Sequence, residues 1–467
     1  MRLRHAAAVL GAKLAVRISQ AVGHRGSSLP GQIALRINPK ALTLLARMVT
    51  KGIVIVTGTN GKTTTNNMLA HILKARGYRV ICNREGANML TGVTAAFVRH
   101  AGVLGRRQYD FAVLEVDENS FPRVTAMVKP TVVVITNFFR DQLDRYGELD
   151  MTIATIRKSL KGLGETHLIL NADDPLVTQL GRGNPSPLYY GVAPYRRPFS
   201  QLGEASREAR FCPFCGKALN YSFYHYSQLG LWFCPGCGFK RPEADVEARE
   251  VRQDQGTLTC KVAYGNRTVP LHLPTQGFYN LYNALAAFTA GLALGVGALE
   301  TAASLSCYEP ATGRLQNFRY GSKQVFLNLV KNPAGFNESL TLLLSAPFKK
   351  DVFIAINDNA ADGRDISWLW DVDFEALAPA ADSLVRFYCS GRRAEEMGVR
   401  LKYAGLPLQR ILIRPDLRQA VNEALHGEGE AVYFLATYTA LWPVEKELRR
   451  LLDRKGVSYA HGMSSLS

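Results

Sequence analysis

Residues 52–65 read Gly52-Ile-Val-Ile-Val-Thr57-Gly58-Thr59-Asn60-Gly61-Lys62-Thr63-Thr64-Thr65. An unbroken β-branched run is followed by two glycines, a lysine and three threonines, and helical periodicity then continues to Arg76. A strand that turns directly into a helix aims backbone N–H groups and the positive end of the helix dipole at one point, which suits a phosphate. Glycine lets the backbone come close, Lys62 would neutralise the β- and γ-phosphates, and Thr63 or Thr64 could reach a magnesium ion. Gly58 and Gly61 are closer together than in the usual long phosphate loop. A plain strand–turn–helix also favours Gly and Thr. The lysine and the three threonines in that setting favour phosphate binding over it.

Working outward, strand patterns are expected at 111–116, 131–136 and 167–170, with helical stretches between them. This βαβ rhythm predicts an α/β fold with a mostly parallel sheet. Ligands gather beyond the carboxyl ends of such strands. Glu115 in Leu114-Glu-Val-Asp-Glu118 stands there, placed to hold Mg²⁺ through oxygen. A short helix is expected over 41–49, a strand over 256–263 and an alanine-rich helix over 280–294. From about residue 306 a second series begins, with strands at 324–329, 352–356, 383–389 and 431–435. The expected organisation is a basic helical segment (1–45), a phosphate-binding domain (46–305) and a C-terminal α/β domain (306–467). Residues 206–244 interrupt the first domain as an insertion.

That insertion carries Cys212-Pro-Phe-Cys215 and Cys234-Pro-Gly-Cys237, a C-x2-C-x18-C-x2-C pattern. Four thiolates at this spacing favour tetrahedral Zn²⁺ with no open position, hence a structural site. A pair of redox dithiols is the competing reading, and His225 between the pairs is not needed as a ligand. Cys82, Cys260, Cys307 and Cys389 are scattered and read as buried free thiols. Such usage suits a reducing cytoplasm.

The chain has 56 Lys+Arg against 39 Asp+Glu, a net charge of +17 that points to a polyanionic partner: nucleic acid, an anionic membrane surface or a phosphate-rich substrate. No apolar run is long enough to span a bilayer. Near the N-terminus Ala8, Val9, Leu10, Leu14, Ala15 and Ile18 form an apolar helical stripe among Arg2, Arg4, Lys13, Arg17 and Arg25. It reads as a helix packed on its own protein, or as one lying on anionic lipid.

Thr57–Thr65 (TGTNGKTTT), Leu114–Glu118 (LEVDE), Thr136–Asp144 (TNFFRDQLD), Asn171–Pro175 (NADDP), Gly277–Ala287 (GFYNLYNALAA) and Gly313-Arg314 resemble the Mur ligase family, in that family's order. The four cysteines, Lys331-Asn-Pro-Ala-Gly335 and Asn357–Trp368 (NDNAADGRDISW) resemble its branch of lipid II isoglutaminyl synthase synthetase subunits. The resemblance implies a Mur ligase-type ATPase domain with a zinc-ribbon insertion and a Rossmann-like C-terminal domain. It implies ATP-dependent amidation, through an acyl phosphate, of the D-glutamate α-carboxylate of the lipid II stem peptide. The ammonia would come from a partner glutaminase, GatD in that branch, in a heterodimer.

Carried over by motif, Gly58, Thr59, Asn60, Gly61, Lys62, Thr63 and Thr64 hold the ATP phosphates, Thr63 and Glu115 serve Mg²⁺, and Asn280 lies near the nucleotide. Arg314 contacts the transferred phosphate. Asp365 completes the partner's Cys–His pair, with Asp358 and Asp362 as alternatives if the alignment slips; all three could instead be parts of a polar turn. Gln142 stands where the family carries a magnesium-associated His. Tyr279 and Lys331 also replace histidines, and the carbamylated lysine of some members has no clear counterpart, Lys158 being a weak match. About fifty residues precede the phosphate loop, too few for a UDP-binding domain, which favours a lipid-linked substrate. A cytoplasmic location is expected, with a peripheral position at the inner face of the plasma membrane as its extension. The rival function is an amino-acid-adding Mur or folylpolyglutamate-type ligase. Nucleic acid is not expected as a partner, because the ribbon offers Lys217, Lys240 and Arg241 but no dense basic run.

Overall fold

The computed structural model describes residues 7–14, 16, 28–83, 87–102, 107–140, 149–195, 207–254, 256–275, 277–309 and 315–453. Its first sheet is built from β1 (Val49–Thr57), β2 (Val80–Cys82), β3 (Tyr109–Glu115), β4 (Val132–Ile135), β5 (His167–Asn171) and β6 (Leu188–Val192). A hairpin of β7 (Asn220–Tyr226) and β8 (Leu229–Phe233) stands apart. The sheet then resumes with β9 (Val246–Asp254), β10 (Thr257–Tyr264) and β11 (Arg267–Leu273). The strand order is β11-β10-β9-β6-β5-β4-β1-β3-β2. From β2 to β9 the neighbours are parallel, and β10 and β11 extend the sheet antiparallel.

The β-branched run of β1 is continuous because both faces of the sheet are covered. Val54 and Val56 join one core with Met68, Leu69 and Ile72 of the helix Lys62–Ala75 and with Leu281 and Leu285 of Tyr279–Ala293. Ile53 and Ile55 point the other way, into a core with Val93, Phe97, Phe121 and Val124. Each such side chain stabilises the fold by about 1.5 to 3 kcal/mol relative to exposure. The short helix expected over 41–49 is shorter still. It spans Ala41–Ala46, and the chain is already β1 from Val49, where β-branched Val49 and Thr50 begin the strand.

The second sheet holds β12 (Gln316–Tyr320), β13 (Lys323–Leu329), β14 (Lys350–Ala355), β15 (Leu384–Ser390), β16 (Ile411–Ile413) and β17 (Ala431–Ala436). Its order is β12-β13-β17-β14-β15-β16, parallel except for β12. In the first sheet β1 lies between β3 and β4, so the chain order reverses there; in the second, β17 lies between β13 and β14. Loops diverge at such switch points and leave crevices.

At the N-terminus Ala8, Val9 and Ala12 are buried, Val9 and Ala12 against the core of the first sheet. This agrees with the reading of a helix packed on its own protein. The leucines of the expected stripe are divided differently: Leu10 and Leu14 face outward. Arg2, Arg4, Ala15, Arg17, Ile18 and Arg25 lie outside the described residues. Among those described, no helix is long and apolar enough to cross a membrane.

Candidate active site

The phosphate loop fills the crevice at the end of β1. Gly58 (φ +116°) and Gly61 (φ +86°) have left-handed backbones, and a Cβ would come within 2.4 Å of Thr136 Oγ1 at the first and 2.1 Å of Asn283 Oδ1 at the second. Both positions therefore require glycine. The loop tip is held from behind: Asn60 N donates to Asn137 Oδ1 (2.8 Å), Thr136 Oγ1 to Asn60 O (2.7 Å) and Thr59 Oγ1 to Phe139 O (3.1 Å).

Lys62 is buried, donates to Gly58 O and Thr59 O, and lies 3.0 Å from Glu118. Burial pushes the Glu118 carboxyl above its usual range, and the Lys62 ammonium pulls it back. Thr63 Oγ1 donates to Glu115 Oε2 (2.8 Å), and Asn88 Nδ2 donates to Glu115 Oε1 (3.1 Å). Asn83 Oδ1 accepts from Glu115 N (2.9 Å). A hydroxyl and a fixed carboxylate, side by side at the mouth of a phosphate loop, are an oxygen donor set that fits Mg²⁺.

The far wall comes from the second sheet. Lys331 Nζ donates to Thr59 O (3.1 Å), and Asn332 and Asn60 exchange two amide hydrogen bonds (2.9 and 3.2 Å). Asn332 also caps the helix Pro333–Ser345 by accepting from Gly335 N. Asn328, Glu338, Asp362, Thr437 and Tyr438 line the same cleft of about 310 Å³. Thus the carboxyl ends of both parallel sheets face one cavity.

The expected residues fall into groups. Thr59, Asn60, Gly61, Lys62, Thr63, Thr64 and Glu115 line the cleft, with Gly58 in the loop beneath it. Asn280 lies behind it, donating to Thr275 Oγ1 (3.0 Å); Asn283, one turn further along the same helix, reaches the cleft instead. Lys158 is exposed on the helix Leu149–Leu160, and no part of it lines the cleft. Arg314 and Gln142 lie outside the described residues.

The three acids after β14 have separate environments. Asp358 is ion-paired with Arg392 (2.7 Å) and Arg393 (2.7 Å), while Asp362 is buried in the cleft wall, accepting from Thr439 N and Oγ1. Asp365 is part-exposed and accepts from Ser367 N (2.8 Å) and Ser367 Oγ (2.9 Å). Asn88, Glu118, Asn137, Asn283 and Asn332 were not singled out from sequence. Glu118 (LEVDE), Asn137 (TNFF), Asn283 (GFYNLYNALAA) and Asn332 (Lys331–Gly335) stand inside the motifs above with no role read from them, and Asn88 stands in none.

In the insertion, the four cysteine sulfurs lie within 4.8 Å of one another, with Cys212–Cys237 at 3.5 Å and Cys215–Cys234 at 3.4 Å. The two turns repeat each other, each closed by a glycine of positive φ after its second cysteine (Gly216, +71°; Gly238, +72°). The sulfur spacing fits a tetrahedral metal site. His225 is buried elsewhere, its Nε2 3.0 Å from Val192 O.

A phosphate loop on a parallel sheet, closed by a second α/β domain that supplies a lysine and an asparagine, defines a ligase of the Mur type. The Mur ligase middle domain family matches residues 56–193, and the MurT ligase C-terminal family matches 329–441. The fold is shared with a pseudomurein peptide ligase type C from Methanothermus fervidus (TM-score 0.65, 24% identity, 87% of this chain and 79% of that one). It is shared also with MurF ligase from Thermotoga maritima in complex with ADP (TM-score 0.63, 15% identity, 90% and 85%). Two relatives are named lipid II isoglutaminyl synthase (glutamine-hydrolyzing) subunit MurT. That of Staphylococcus aureus strain N315 is 39% identical over 97% of this chain and 99% of its own, and that of Streptococcus pneumoniae strain R6 is 34% identical over 93% and 94%. The chain belongs to the MurT family of lipid II isoglutaminyl synthase subunits.

Proposed function

We propose that this protein is the ATP-dependent synthetase subunit that amidates the D-glutamate α-carboxylate of the lipid II stem peptide to D-isoglutamine, using ammonia from a partner glutaminase. The observation that carries it is the two-sided cleft, with Lys62, Thr63 and Glu115 on one wall and Lys331 and Asn332 on the other.

In this reading the phosphate loop cradles the ATP phosphates, Lys62 neutralises the phosphoryl group in transfer, and Thr63 and Glu115 hold Mg²⁺. Mg²⁺ held by Thr63 and Glu115 would offset the negative charge of the phosphates. The substrate carboxylate attacks the γ-phosphorus to give an acyl phosphate and ADP. Ammonia then attacks the acyl carbon; the C–N bond forms, phosphate leaves with the C–O electron pair, and a proton is lost from nitrogen. Arg314 is assigned to the transferred phosphate and Asn280 to support of the nucleotide wall through Asn283. Charges fixed in advance around such a centre cost nothing to reorganise during the reaction.

Asp365 is the carboxylate we assign to the glutaminase. Its partial exposure supports this over Asp358, which two arginines hold, and Asp362, which faces the cleft. The four cysteines are assigned to structural Zn²⁺. We assign residues 1–45 as the basic helical segment, 46–305 as the ATP-binding domain with a zinc ribbon at 206–244, and 306–467 as the C-terminal domain. The test is ATP-dependent amidation of lipid II by the purified chain, with ammonium salt or glutamine, each with and without the glutaminase. Product from ammonium alone, and from glutamine only with the partner, is expected. Addition of an amino acid instead would move the chain to the amino-acid-adding ligases.

A further inference from the structure

Fourteen lysines and arginines precede Glu85, the first acidic residue of the chain. Within that acid-free stretch two helices have apolar side chains turned away from the core. In residues 7–14, Ala8, Val9 and Ala12 are buried while Leu10 and Leu14 are 49% and 60% exposed. In the helix Leu29–Ile37, Pro30, Gly31 and Ala34 are buried, whereas Leu29 (48% exposed) and Arg36, two turns apart, share the outer face. The outer face of a packed helix is ordinarily polar, so leucines at these positions want another partner.

The two helices form one surface. Gly11 sits against Ile37 and Ile33, its Cβ position 3.3 and 3.9 Å from their side chains, with Leu10 and Leu14 beside it. Leu29 lies one turn before Ile33 on the same row. Exposed Lys40 and Arg47 come next in the chain, at the two ends of the helix Ala41–Ala46. Through its buried face the helix Leu29–Ile37 also packs beside the active-site cleft. Gly31 is pressed on the backbone of Thr91, where a Cβ would lie 1.7 Å from the carbonyl oxygen, and Met89, two residues earlier, lines the cleft and is 45% exposed.

We propose that Leu10, Leu14 and Leu29, with Arg36, Lys40 and Arg47, form a docking face for an anionic bilayer, which brings the cleft to a substrate held in that bilayer. Charge complementarity selects this occupant: leucines insert at the headgroup boundary while surrounding cations meet lipid phosphates. The inference deepens the reading of a lipid-borne substrate, but its test needs no turnover.

The experiment is co-sedimentation of the full chain with vesicles of phosphatidylcholine alone or mixed with phosphatidylglycerol. Binding to the mixed vesicles only, weakened by salt, is expected. Leu10→Ser/Leu14→Ser should weaken it about tenfold or more, and Arg36→Ala/Lys40→Ala about fivefold for each charge removed. Both variants alter exposed side chains and should amidate a water-soluble substrate analogue at the normal rate. Equal binding to both vesicle types, no binding to either, or unchanged binding by the leucine variant would overturn the proposal. So would binding to soluble polyglutamate without binding to vesicles, which would assign the face to an acidic protein. A chain that binds vesicles yet amidates nothing would sink the activity reading alone.

Discussion

Lys331 Nζ donates to the carbonyl oxygen of Thr59 across 3.1 Å, joining the second domain to the phosphate loop of the first. The cleft side of that loop thus has two lysines, Lys62 from within and Lys331 from across the cleft. Lys331→Ala should lower ammonium-driven amidation by about 100- to 1,000-fold, the range for loss of one charge-stabilising donor. Thermal stability should hardly change. Steady-state kinetics with saturating ATP check this, and a normal rate would remove Lys331 from the phosphate site.

Lys62→Ala has a harsher outcome. It removes the loop's own cation and the ammonium that lies 3.0 Å from buried Glu118. Turnover should fall by about 10³-fold or more with ammonium and with glutamine alike. Parallel assays with the two nitrogen sources decide it.

Asn88 Nδ2 holds Glu115 by donating to its Oε1. Groups that orient a metal ligand typically carry about 10- to 100-fold in metal affinity. Asn88→Ala should therefore raise the magnesium requirement by that factor while the rate recovers at saturating Mg²⁺. Titration of Mn²⁺ binding with a non-hydrolysable ATP analogue gives the same comparison without turnover.

Asp365→Asn should reduce glutamine-driven turnover by about 10²- to 10⁴-fold, as loss of an orienting carboxylate does elsewhere, and leave ammonium-driven turnover intact. Equal losses in both assays would place Asp365 in this chain's own reaction.

Asp174 caps the short helix Pro175–Thr178, accepting from Leu176 N (2.9 Å) and Phe138 N (2.9 Å). Complete burial raises its carboxyl to about 7, against the pull of those hydrogen bonds. The folded state then holds a proton that the unfolded chain releases near pH 4. The associated stability is present below that pH and is lost as pH rises through about 7, by up to about 4 kcal/mol. Asp174→Asn should flatten that part of the stability profile, measured by urea unfolding between pH 4 and 8.

The phosphate loop was legible from residues 52–65 because strand, glycines and lysine are contiguous, so local chemistry determined local structure. Glu115 was legible for a similar reason, standing at a strand end. Asn88 and Asn332 were not. Each reaches its partner through a fold-level juxtaposition, Asn88 over Glu115 and Asn332 over Asn60, 272 positions away. Asn280 and Asn283 show the same limit within one helix: a motif names the helix, but only packing decides which asparagine faces the cavity. The spacing between the cysteine pairs leaves a linker long enough for a hairpin that brings them together, and β7–β8 is that hairpin.

Asp362 and Asp365 are separated by two residues, yet one faces the cleft and the other the surface. Three residues of extended chain reach at most about 10 Å. With Asp365 assigned to the glutaminase, the cleft wall at Asp362 and the carboxylate lent to the partner belong to one short segment, so the two reaction sites are neighbours along the chain as well as in space.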